Sequence, residues 1–177
     1  QQVLLARQVG GDLRHTLVEF AAPLFGAALF LVQCIALVRD ALAEDGLALQ
    51  WIGHRPDTQY KLIMRTFLEV FPHTTLWLGG QLKVGSLRPL TISPALVSDK
   101  QARPETRLAL DDIGLDSFET LASWYVAGPD ELRRFVGAGP VLTDDRPLVE
   151  YHRSLPANDP PVDLAGLRGD VRALIRP

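Results

Sequence analysis

TTLWLGGQLKVGS, residues 74–86, is the stretch whose reading decides the fold. TTLWL (74–78) is a short apolar run with strand-forming residues. Gly79 and Gly80 are a tight-turn signal, and QLKVGS (81–86) returns as a second strand, so a β-hairpin is predicted. Just upstream, TQYKLIMRTFLEVF (58–71) carries Tyr60, Ile63, Phe67 and Val70 at helical spacing. Asp57 is placed to cap that helix and Pro72 to stop it. Before it, LALQWI (47–52) has the length and apolar content of a buried strand. A helical stripe of Leu31, Ile35, Val38 and Leu42 leads into it, with Gly46 at the position where a helix end takes a left-handed residue. The order helix, strand, helix, strand, turn, strand predicts an α/β fold. Its sheet is expected to be parallel, with an antiparallel hairpin at the edge.

Further upstream, FAAPLFGAALFLVQCIALV (20–38) runs nineteen residues without a formal charge. That length meets the lower bound for a membrane span. Pro23 and Gly26 interrupt it, and from Leu29 it turns amphipathic and leads into the 47–52 strand. The expectation is therefore a loop followed by a core helix, with a membrane span as the alternative.

Downstream, the signals become short and helical. Ser93 and Pro94 form a helix start, and Pro104 opens a helix running toward Asp111. DSFE (116–119) resembles a capping box before LASWYVAG, and Pro129 and Asp130 begin ELRRFVG. Together they predict a small helical cap packed on the sheet. PVLTDDRPLVEYH (140–152) reads as a loop ending in a strand-like run, and PANDPP (156–161) as a linker. DLAGLRGDVRALIRP (163–177) has the pattern of a final amphipathic helix with Leu164, Leu167, Val171 and Leu174 inward. The chain thus divides at 1–92, 93–155 and 156–177.

The net charge of −3 and scattered Lys and Arg give no nucleic-acid footprint. Cys34 is the single cysteine, which excludes an internal disulfide and a cysteine metal cluster. His15, His54, His73 and His152 form no ligand-spaced pair, so no metal is expected. No Ser-His-Asp order and no CxxC supports a hydrolase or a redox enzyme. The first residue is Gln1, so sequence upstream of it is expected, and no signal peptide is visible.

Four blocks in order resemble the spermidine synthase family of polyamine aminopropyltransferases and their spermidine-synthase-like bacterial relatives, some of which are fused to transporter-like membrane segments. They are PLFGAALF (23–30), LVRDALAEDGLALQW (37–51), MRTFLEVFPHTTLWLGGQLKVGS (64–86) and LTDDRPLVEY (142–151). The resemblance spans residues 19–152, about three quarters of the chain. It implies the C-terminal half of a Rossmann-like, methyltransferase-type sheet. The glycine loop that cradles the donor in that family belongs upstream, and only eighteen residues precede Glu19. Their Val9-Gly10-Gly11-Asp12 is a lone glycine pair. The expectation is half an enzyme, with impaired activity.

The resemblance also assigns residues. The family's catalytic Asp falls on Glu19, and the second Asp, which would hold the far ammonium of a diamine, falls on Ala22. Trp77 takes the place of an aromatic beside the amine pocket, and Gln50 lies near the same site. Leu24 and Phe25 would wall a gate loop over it. For each residue an ordinary structural role stands beside the functional one. Asp144, Asp145 and Arg146 read as a structural lock of a loop, and Gln81 as structural. The reaction implied moves an aminopropyl group from decarboxylated S-adenosylmethionine, a co-substrate and not a tightly bound cofactor, to putrescine or a related amine. The alternative is a non-catalytic partner domain that acts through association, either with another copy or with the missing N-terminal half. The compartment implied is the cytoplasm, or the cytosolic side of a membrane-fused protein, with a membrane reached only through an upstream segment.

Overall fold

A computed structural model describes residues 3–9, 12–18, 35–143, 156 and 158–176. One six-stranded sheet organises them, in the order β2-β1-β3-β5-β4-β6. The strands are β1 (Val3–Val9), β2 (Asp12–Val18), β3 (Leu47–Trp51), β4 (Thr75–Trp77), β5 (Leu82–Ser86) and β6 (Tyr125–Ala127). Every pairing among them is antiparallel. The mixed α/β class and the 74–86 hairpin are as expected. The parallel neighbours are not found among the described residues. β3 and β4 do run in the same direction, because each is antiparallel to β5, but β5 lies between them.

The hairpin is not at the edge. β6 pairs with β4 and extends the sheet beyond it. Its residues come from SWYVA, which the sequence had placed in a helix. Three β-branched or aromatic residues in the run 124–126 favour the strand once an open strand lies beside them. At the other end, β1 and β2 pair from Val3↔Val18 to Val9↔Asp12, so the glycine pair at 10–11 connects two strands.

α2 (Asp57–Val70) covers one face of the sheet. α1 (35–41) lies beside it, with Ile35 and Val38 packed against Ala48, Phe67 and Phe71. Gly85 lets α2 sit close, since a Cβ there would meet the Phe67 and Phe71 rings at 2.7 Å. α2 also packs on α6 (Pro129–Val136), and Leu62, Met64, Leu68, Leu132 and Val136 share a core with Leu76 and Ala127 of the sheet. This explains why α2 is buried well beyond the one face that its spacing predicts.

The start of α2 differs from expectation. Asp57 is the first helical residue and pairs with Lys61 at 2.8 Å, so it does not cap. The cap comes from Asp159, whose carboxylate accepts from the Thr58 amide at 3.0 and 3.2 Å and from its hydroxyl at 3.0 Å. The Asp57 amide donates to the Pro160 carbonyl at 2.7 Å. Asp159, Pro160 and Pro161 of the expected linker are thus tied to the helix start.

α3 (Pro94–Ala102) and α4 (Pro104–Asp112) begin at the expected prolines, and Ser93 caps α3. Neither helix buries a residue, so this part of the expected cap does not pack on the sheet. α5 (Phe118–Ser123) is capped by Ser117, which accepts from the Thr120 amide at 3.0 Å, so the Asp116–Glu119 box does not form. The final helix is also absent. Residues 161–176 hold one short 3-10 turn (Val171–Leu174), broken upstream by Gly166 and Gly169. Leu167 and Leu174 are nonetheless buried, and Leu164 and Val171 pack against the core, as their pattern predicts. Gly46 does not take a left-handed conformation. It is needed because a Cβ would strike the Leu42 side chain at 2.6 Å.

Candidate functional site

The most unusual chemistry lies in the middle of the sheet. Gln50 on β3 and Lys83 on β5 are direct cross-strand partners. Both point to the face that α2 covers, with Gln50 1% and Lys83 0% exposed. The Gln50 amide nitrogen and oxygen and the Lys83 Nζ have no hydrogen-bond partner among the described residues. Buried polar groups are nearly always satisfied, and each one left open costs about 1–3 kcal/mol. Three such atoms on two adjacent residues form a cluster that needs a reason.

The surroundings decide the charge of Lys83. Burial, followed by the nearby Arg55 guanidinium, pushes its pKa down to about 7. The Arg55 Nε donates to the Ile52 carbonyl at 3.3 Å, which holds this second cation at the end of β3. The Phe67 ring, with its centroid 4.5 Å from Nζ, favours the ammonium by about 0.5–2 kcal/mol. Desolvation outweighs it, so much of the amine is neutral near neutral pH.

Trp77 lies on the other face of the sheet, because its partner Leu82 is one residue removed from Lys83. Its Nε1 donates to Thr75 Oγ1 at 2.8 Å, and its ring meets Tyr125 edge-on at 5.1 Å. It packs with Val84 and Leu174 in that face's core. The structure therefore does not bring Gln50 and Trp77 together. Gln81 acts in the turn, where its amide donates to the Trp77 carbonyl at 3.1 Å. In that turn Leu78 and Gly79 have φ of +53° and +61°. Glu19, Ala22, Leu24, Phe25, Asp144, Asp145 and Arg146 lie outside the described residues. The backbone register does align Val18, Val3, Gln50, Lys83 and Leu76 in one row across the sheet.

Away from this sealed cluster, a cleft of ≈ 290 Å³ opens between β4, β6 and α6 and is lined by His73, Tyr125, Glu131 and Asp170. Burial, then Glu131 and Asp170, pushes the Tyr125 hydroxyl up to about 12. Its carboxylates are engaged: Glu131 accepts from the Gly128 amide and from Arg134, and Asp170 from Arg172.

Sequence reading singled out Gln50 and missed Lys83. The available signal was a lysine at the centre of an otherwise apolar hairpin strand, LKV, where lysine is rarely buried. No protein-family model, curated protein or solved structure matches the chain. Among the described residues, no helix is long and apolar enough to cross a membrane.

Proposed function

We propose that the chain is a spermidine synthase-like protein, built on the C-terminal part of a Rossmann-like, methyltransferase-type sheet. The observation that carries this reading is the path β3, α2, β4, β5. Two strands in one direction are linked by a helix, and the hairpin's return strand is inserted between them. The four sequence blocks supply the chemistry. In the proposed reaction the Glu19 carboxylate takes a proton from the acceptor amine. The amine nitrogen then attacks the carbon next to the sulfonium of decarboxylated S-adenosylmethionine. The C–S bond breaks and its electrons return to sulfur, releasing neutral 5′-methylthioadenosine. Leu24 and Phe25 would wall the amine site, and Asp144, Asp145 and Arg146 would lock the loop that follows. The test is to incubate the full-length gene product with the donor and putrescine. Methylthioadenosine release is expected, and Glu19→Gln should lower kcat by about 10²–10⁴-fold. No release with any diamine sinks the reading.

A second reading, a partner domain without catalysis, is favoured by one observation. Gln50 and Trp77 are both sealed, and they lie on opposite faces of the sheet. It predicts no donor binding by calorimetry and a mass in solution above that of one chain.

A further inference from the structure

We propose that Lys83 is a carbon dioxide acceptor, its Nζ carboxylated to a carbamate that the Gln50 amide holds. This rests on the central cluster alone and is independent of the aminopropyl reading. Among the described residues, the cluster has two donors without a partner, Lys83 Nζ and Gln50 Nε2, and one such acceptor, Gln50 Oε1. A carbamate satisfies all three at once. Its remaining N–H donates to Oε1, and one of its oxygens accepts from Nε2, the paired arrangement that two amides adopt.

The charge balance points the same way. Among the described residues, the charged group acting on Lys83 is the Arg55 cation, and burial drives the amine toward its neutral form. A buried ammonium there repels Arg55, whereas a buried carbamate attracts it. Size narrows the choice of reactant further. Both residues are closed to solvent, so the entrant must be small and uncharged, which a carboxylate ligand is not. The step balances without an oxidant or reductant. The Nζ lone pair attacks the carbon of carbon dioxide, an N–C bond forms, one C=O pair moves onto oxygen, and the displaced proton leaves to solvent.

The chain has three lysines, Lys61, Lys83 and Lys100, which makes the readout simple. The full chain is equilibrated with ¹³C-labelled carbon dioxide at neutral pH and trapped with triethyloxonium. Peptide mass spectrometry then locates the ethyl carbamate. The expected result is label at Lys83 in excess of Lys61, Lys100 and the N-terminal amine. Gln50→Leu should diminish that label, and Lys83→Met should abolish it. An unlabelled Lys83, label spread equally over the three lysines, or full labelling in Gln50→Leu each overturns the proposal. The wild-type measurement decides even where a variant fails to fold.

Discussion

Lys83 shows how one residue can tie stability to pH. The unfolded chain holds its proton up to about the ordinary 10.5, while the folded chain releases it at about 7. Between these values the unfolded state binds more protons, so stability rises as pH climbs from 7 toward 10 and is lowest below 7. Lys83→Met in carbon dioxide-free buffer should remove this slope. It should also raise stability at pH 7 by on the order of 2–4 kcal/mol, from about 1.4 kcal/mol per pKa unit. Urea melts of both proteins at pH 7 and 9.5 check this, and parallel slopes would refute it. Gly85 gives the opposite test of packing. Gly85→Ala puts a methyl group against the Phe67 and Phe71 rings and should cost about 1–3 kcal/mol in the same melts. A pattern of apolar residues foretold Phe67 as a core contact. It could not foretell Gln50 or Lys83, since polarity argues against burial and only register brings the two together.

The elements repay the same comparison. Prolines and serines marked the starts of α3, α4 and α6 in the sequence, because those signals act within one turn. The 74–86 hairpin was legible for the same reason. β6 was not, because a three-residue strand exists only through its partner β4, which lies 48 positions earlier by the Tyr125–Trp77 pairing. The cap of α2 escaped likewise: Asp57 is the local candidate, yet Asp159 does the work from a distance of 101 residues. Asp159→Ala should therefore destabilise the protein by about 0.5–2 kcal/mol, and Asp57→Ala by less. Equal losses in denaturant melts would contradict the assignment. For the candidate site, legibility stopped at Gln50 and Trp77, whose alternation across strands decides faces that spacing in separate segments does not reveal.

Across the whole molecule, burial is uneven. α2 lies at the centre of the core, with α1, α6 and the sheet around it. The α3–α4 pair touches little beyond itself and α5, and leaves Leu108 76% and Ile113 60% exposed. Hydrogen exchange should be slowest in α2 and β5 and fastest in α3 and α4. Replacing Leu108 or Ile113 by Lys should change stability by less than about 0.5 kcal/mol. Protection in α4 equal to that in α2 would show that a partner covers it. The Asp159 clasp has a consequence for synthesis as well. A growing chain makes α2 early but lacks its cap for another hundred residues. At ordinary translation speeds that is a wait of on the order of 5–20 s, during which the first turn of the central helix stays frayed. The first turn of α2 can close only once Asp159 has left the ribosome.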